Sequence, residues 1–187
     1  MKMNILTKLF FLITVTGLVG CASTVNRNTS SMNEKSEVKE ELIQVISFKP
    51  LRALTVGLDS KAAAKLPDNQ NFNVDKLFEK INSTLSTSKY LQAQNNPSTL
   101  RMDVVITNIR VRSGMSAIML GFLAGADYIN GQVTVKDGDK VIDKFEVDIS
   151  YAFGGAMGDT DTRMNWMYES FSNKILEEMK KVMPMPK

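Results

Sequence analysis

Two segments of the chain carry apolar residues at the spacing of an amphipathic helix. The first stripe consists of Val74, Leu77, Phe78, Ile81 and Leu85. The second stripe consists of Met164, Met167, Tyr168, Phe171, Ile175, Met179 and Val182. Asn73 precedes the first stripe and is a good N-cap. We expect Thr162 or Asp161 to cap the second helix, and Pro184 to end it.

Other segments alternate apolar and polar residues, which is typical of strands with one buried face. Leu42–Phe48 and Arg52–Leu58 predict two strands, or one strand broken at Pro50, since proline cannot donate to a sheet ladder. Thr99–Arg112 predicts a long strand. Its apolar residues move from even to odd positions near Thr107-Asn108, so we expect a β-bulge there.

A hairpin follows, with its apolar residues at odd positions in both arms. These residues are Val133, Val135, Phe145, Val147, Ile149 and Tyr151. Odd positions can face odd positions only across a loop with an odd number of residues, which favours the three-residue loop Asp137-Gly138-Asp139. Glu146 and Asp148 should then lie on the more open face. The order β(β)-α-β-β-β-α predicts an α+β fold, with an antiparallel or mixed sheet of four to five strands and two helices on one face.

The N-terminal segment has the layout of an export signal. Lys2 and Lys8 precede the apolar run Leu9–Val19. A basic start followed by an apolar core of roughly 7–15 residues is typical of a signal peptide. The run is too short for a membrane-spanning helix, which needs about 20 residues. We therefore expect residues 1–20 to be a cleaved signal peptide.

The run ends in Leu18-Val19-Gly20-Cys21, which resembles the lipobox of bacterial lipoproteins. The resemblance implies a diacylglyceryl group on the Cys21 thiol, cleavage between Gly20 and Cys21, and acylation of the new amino terminus. Two or more acyl chains hold a protein stably on a membrane, because each buried CH₂ contributes about 0.8 kcal/mol. Ala22 follows the cysteine where aspartate would signal retention, which implies the outer membrane of a two-membrane bacterium, facing the periplasm.

Residues 21–40 form the predicted lipidated N-terminus and tether. The segment is rich in Ser, Thr, Asn, Glu and Lys, and it cannot bury enough apolar surface to order itself. About 19 flexible residues reach on the order of 25 Å, which would leave the domain near its membrane without pressing it against the lipid. We expect residues 41–187 to form a single domain.

Composition excludes several classes of catalytic site. The chain has no histidine and one cysteine, so a Ser–His–Asp triad, a Cys–His pair, a His/Cys zinc site and a disulfide are all excluded. We expect no metal and no cofactor. Removal of residues 1–20 leaves 21 of the 23 basic residues against 20 acidic ones, a net charge of +1. A charge this small, together with export, argues against nucleic acid as a partner.

The segment Gly114–Ala126 is apolar and contains three glycines. It could be a buried strand with a crossing loop, a surface for a partner or for self-association, or a segment that dips into a membrane interface. Its central residues are the candidate interaction surface: Met119, Leu120, Gly121, Phe122 and Leu123. Arg110 and Arg112 share one strand face, interpreted as a solvated face. Phe153–Gly158 is interpreted as a flexible connection.

The layout from Arg110 to Met179 resembles an uncharacterised family of bacterial lipoproteins. The residues that carry the resemblance are Gly121–Ala126, Asp137-Gly138, Gly154-Gly155 and the terminal amphipathic helix. The layout is similar to the periplasmic domains of outer-membrane assembly lipoproteins of the curli-secretion type. We expect a non-enzymatic binding or assembly component of the cell envelope. The alternative is a hydrolase of envelope polymers that uses a carboxylate pair.

Overall fold

The structure, a computed structural model, describes residues 22–27, 45–92, 97–112, 125–152 and 159–186. Its strands are β1 (Ala22–Asn26), β2 (Ala53–Leu58), β3 (Leu100–Arg110), β4 (Asp127–Asp137) and β5 (Lys140–Tyr151). Its helices are α1 (Ser60–Lys65), α2 (Val74–Thr87) and α3 (Thr160–Val182), with a short 3-10 turn, Leu66–Asp68, after α1. The predicted α+β class is confirmed.

The five strands form one mixed sheet in the order β1-β5-β4-β3-β2. β2 and β3 are parallel, and the other neighbours are antiparallel. A parallel pair requires a long connection, because the chain must return to the same end of the sheet. α1 and α2 lie in that connection, between β2 and β3.

The core lies between the sheet and the pair α2 and α3, which pack against each other. The strands contribute alternate residues, including Leu100, Met102, Val104, Ile129, Val133, Phe145, Val147 and Ile149. α2 begins after Asn73, whose side chain accepts a hydrogen bond from the Lys76 amide as expected. Phe78 departs from the predicted stripe and is 37% exposed.

The structure confirms the bulge predicted in β3 and the facing residues predicted for the hairpin. The register of β3 against β4 shifts between Ile106 and Asn108, which confirms the bulge inferred from the change of phase. In the hairpin, Val133 faces Phe145, so odd positions do face odd positions, and Glu146 and Asp148 lie on the more open face.

The predicted three-residue hairpin loop is wrong. Asp137 pairs with Lys140, so the turn contains only Gly138 and Asp139, and Gly138 takes the positive φ of 58° that such a turn needs. The parity is restored by a second bulge, where the register shifts between Val135 and Lys136.

Two predicted boundaries are also wrong. α3 is capped by Asp159, whose carboxylate accepts a hydrogen bond from the Thr162 amide, and neither Thr162 nor Asp161 is the cap. Within the predicted strand 42–48, residues 45–48 are not in a strand. The Ile46 amide instead donates to the carbonyl of Val182 at the end of α3, because this segment runs beside the helix terminus.

The predicted tether is wrong for its first residues. Ala22–Asn26 forms β1, which pairs with β5 over five residues and lies at the edge of the sheet. The segment is polar because an edge strand buries little: only Val25 is partly buried. Residues 28–40, the rest of the predicted tether, lie outside the described residues.

Candidate functional site

The candidate residues from the sequence lie outside the described residues: Gly20, Cys21 and Met119–Leu123. The same holds for most of Gly114–Ala126, of which only Gly125 and Ala126 are described. The described residues that border these segments can still be located. Three of them are Ala22, Arg112 and Gly125.

These borders meet at one end of the sheet. Ala22 at the start of β1 pairs with Ser150 near the end of β5, and Asp127 at the start of β4 pairs with Tyr151. β3 ends beside the start of β4, and the first turn of α3 reaches the same place through Arg163. We call this end of the sheet, marked by Ala22, Asp127 and Tyr151, the loop end.

A buried ionic cluster of Arg112, Asp127 and Arg163 holds the loop end together. Asp127 accepts hydrogen bonds from the Arg112 amide at 2.7 Å, from Arg112 Nε at 3.0 Å and from Arg163 Nη1 at 2.5 Å. Arg163 Nη2 also donates to the carbonyl of Arg112 at 3.2 Å. The three residues are at most 5% exposed. The cluster therefore joins the end of β3, the start of β4 and the first turn of α3.

The position of Arg112 corrects the expectation of a solvated face. Arg112 lies two residues beyond the end of β3 and does not follow the alternation of the strand, because its amide and guanidinium both bond to the buried Asp127. Sequence reasoning also missed Arg163, although a signal exists: Arg163 lies four residues before Met167 on the apolar stripe. An arginine on such a stripe indicates a buried cation, which needs a buried acidic partner.

The backbone at the loop end requires glycine at position 125. Gly125 has a φ of 78°, and a Cβ there would lie 2.7 Å from Nη1 of Arg110. A larger residue would strain the backbone and displace the Arg110 guanidinium. This glycine fixes the chain path into β4, immediately before the ionic cluster.

A second ionic group fastens β1 to the domain. Arg27, the residue after β1, donates to Asp143 of β5 at 3.0 Å and to Glu178 of α3. Its guanidinium also lies 5.1 Å from the ring centroid of Phe145. Lys181 donates to the other carboxylate oxygen of Glu178 at 2.6 Å. We call Arg27, Asp143 and Glu178 the N-terminal latch.

The latch keeps its buried carboxylate ionised. Burial raises the pKa of Glu178, but the hydrogen bonds from Lys181 and Arg27 outweigh that effect, and the pKa is lowered from its ordinary value. The carboxylate is 2% exposed, so the two cations supply the stabilisation that water would otherwise provide. The ion pairs span 116 and 151 residues of sequence, which is why no local pattern indicated them.

The open face of the sheet carries a polar depression. Its charged and amide residues include Asp59, Lys61, Asn108, Asn130, Glu146 and Asp148. Two of the three carboxylates have structural partners. Asp59 caps α1 by accepting from the Ala62 amide at 2.7 Å, and Asp148 accepts from Asn130.

Two searches of the described residues found no candidates. Among residues 22–27, 45–92, 97–112, 125–152 and 159–186, no group of three or more acidic or cysteine side chains could hold a metal ion. No helix in this part of the chain is long and apolar enough to cross a membrane.

A protein-family model, a domain of unknown function (DUF4410), matches residues 24–155. The chain belongs to this family. The match begins within β1 and ends just after β5, so the DUF4410 region contains β2 to β5 and the last three residues of β1. A search of curated proteins finds no match.

The DUF4410 chain is similar to several solved structures. Two are structures of a PelC dodecamer from Paraburkholderia phytofirmans, with 10% and 9% sequence identity. In each case the alignment covers 88% of this chain and 100% of the PelC chain, at a TM-score of 0.47. A third is an uncharacterised protein with 14% identity, which covers 74% of this chain and 95% of that chain at a TM-score of 0.44.

Proposed function

We propose that this DUF4410 protein is a membrane-anchored lipoprotein, with the lipid on Cys21 and the domain on the periplasmic face of the outer membrane. The observation that carries the proposal is the quartet Leu18-Val19-Gly20-Cys21 at the end of a basic and apolar leader. The domain is a non-enzymatic binding or assembly component of the cell envelope. We propose that it is related in layout to the assembly lipoproteins of the curli-secretion type.

The anchor is tested by Cys21→Ser, with Ser23→Ala as the matched control in the exposed part of β1. We expect the wild type and the control in the membrane fraction, where only detergent releases them. Cys21→Ser should appear in the soluble fraction or as a heavier, uncleaved precursor. A Cys21→Ser protein with the membrane fractionation and mass of the wild type would contradict the proposal.

The proposed contact with envelope proteins, or with a second copy of the chain, lies in Gly114–Ala126. The test replaces Leu120 and Phe122 with serine and measures both association, by crosslinking in intact envelopes, and stability. Loss of crosslinks at unchanged stability supports a surface role. A loss of several kcal/mol, as expected at core positions, would show that the segment is only core.

The alternative function is hydrolysis of an envelope polymer. The depression on the open face would be its site, because Glu146 and Asp148 lie on the same side of β5 and both line it. The assay measures soluble fragments released from purified envelope polymer. We expect none, and a release that Glu146→Gln abolishes would replace the binding proposal with the enzymatic one.

A further inference from the structure

The proposed anchor residue, Cys21, immediately precedes the first strand of the folded domain. Cys21 is bonded to Ala22, so their α carbons are about 3.8 Å apart. Ala22 is the first residue of β1 and pairs with Ser150. The acyl chains on Cys21 would therefore emerge directly at the loop end, and no flexible segment would separate them from the sheet.

The N-terminal latch makes this connection rigid. β1 is short and exposed, and five residues of edge pairing alone would fray readily. Arg27 adds charge-assisted hydrogen bonds to Asp143 and Glu178, which belong to two different elements of the domain. The orientation of the lipid anchor relative to the sheet is thus fixed at both ends of β1.

The loop end carries the side chains that favour a membrane interface. Tyr128, Tyr151 and Trp166 lie there, and all three are partly exposed. The rings of Tyr151 and Trp166 are packed edge to face, with centroids 5.4 Å apart. Tyrosine and tryptophan are enriched at the headgroup level of membranes because each combines an apolar ring with a polar group.

We propose that the loop end rests on the surface of the lipid bilayer, with Trp166, Tyr151 and Tyr128 at the level of the headgroups. The partner is the membrane itself, because the covalent lipid emerges at the same edge as the three aromatic residues. The opposite end of the domain, where Lys49 lies 3.7 Å from Asp137 near the hairpin turn, faces away from the membrane. This orientation rests on the proposed lipidation of Cys21.

The test uses Trp166, which is the only tryptophan of the chain. Full-length lipidated protein is reconstituted into vesicles of plain phosphatidylcholine and into vesicles whose phosphatidylcholine is brominated on the acyl chains. Bromine quenches tryptophan only at short range. We expect the brominated vesicles to remove more than half of the Trp166 emission, while plain vesicles leave it intact.

A matched control moves the tryptophan to the opposite end. The double variant Trp166→Phe with Phe48→Trp places it beside Tyr90, where Phe48 already packs edge to face at 5.3 Å. We expect this variant to bind the vesicles equally well and to show no quenching. Equal quenching at both ends would overturn the orientation.

The two proposals fail in different ways in this experiment. Protein that floats with the vesicles while Trp166 keeps its emission would overturn the docking of the loop end and leave the lipid anchor standing. Protein that carries no lipid and does not float would overturn the proposed function itself, and with it the orientation.

Discussion

Asp127→Asn removes the only carboxylate of the cluster that holds the loop end together. The asparagine side chain has nearly the same size, so packing is preserved while the charge is lost. Arg112 and Arg163, each 5% exposed, would then lose the one carboxylate that both of them contact. Removing one partner of a buried ion pair costs about 3–5 kcal/mol, mainly because of the orphaned charge. We expect Asp127→Asn to lower the free energy of unfolding by about this amount.

The assay is urea denaturation at neutral pH, compared at equal slope so that the midpoint reports stability. Glu177→Gln is the control, because its pair with Lys174 is exposed and such pairs contribute roughly 0–1 kcal/mol. Adding Arg163→Met to Asp127→Asn should recover part of the loss, since it removes one orphaned cation. A loss below about 1 kcal/mol for Asp127→Asn would refute the reasoning that the cluster supports the loop end.

Three further predictions concern the rest of the fold. Gly131→Ala should lower the free energy of unfolding by about 1–3 kcal/mol, because the added Cβ would lie 2.8 Å from the Phe171 ring. Thermal melts measure both this variant and the control Gly57→Ala, whose added Cβ would have nothing within 4 Å and should cause no such loss. Equal losses in the two variants would contradict the packing argument. Asn73→Ala should cost about 0.5–2 kcal/mol through loss of the α2 cap, measured by chemical denaturation, and an unchanged midpoint would show that the cap contributes nothing. The pKa of Glu178 is lowered in the folded protein, so its ion pairs stabilise the fold at pH values above the ordinary pKa near 4.5. This stabilisation is lost as the pH falls through the lowered pKa. The melting temperature of wild type should therefore exceed that of Glu178→Gln at neutral pH, and the gap should close in acid; a constant gap from pH 7 to acid would contradict this sign.

The elements that sequence reasoning predicted well are those with a local periodic signal. α2 and α3 carry long apolar stripes, and the bulge in β3 follows from the shift of apolar residues around Thr107. In each case the spacing of neighbouring side chains determines which face is buried. Tertiary context was not needed to predict these elements.

The elements that sequence reasoning missed depend on distant partners. β1 is polar and has no periodic signal, because it exists as a strand only through pairing with β5 and the latch at Arg27. α1 is six residues long and buries only Ala62, so it leaves no stripe to detect. The hairpin was predicted with the right facing residues and the wrong loop, because parity can be satisfied by a bulge as well as by an extra turn residue.

For the candidate site, the sequence carries a local signal only for the proposed lipidation of Cys21. A leader followed by Cys21 is a local signal, whereas the cluster of Arg112, Asp127 and Arg163 joins residues 15 and 36 positions apart. Such contacts arise from the topology, which brings the end of β3, the start of β4 and the start of α3 to one edge. The same topology brings the N-terminus of the sheet to that edge and suggests the membrane-facing orientation.

The central claim, that Cys21 is the lipidated first residue of the mature protein, is tested most directly by mass spectrometry of the N-terminal peptide. The protein is extracted from membranes with detergent, digested, and analysed under conditions that do not hydrolyse its acyl esters. We predict a peptide that begins at Cys21 and carries the mass of a diacylglyceryl group with an additional acyl chain. A peptide that begins at another residue, or an unmodified Cys21, would contradict the claim.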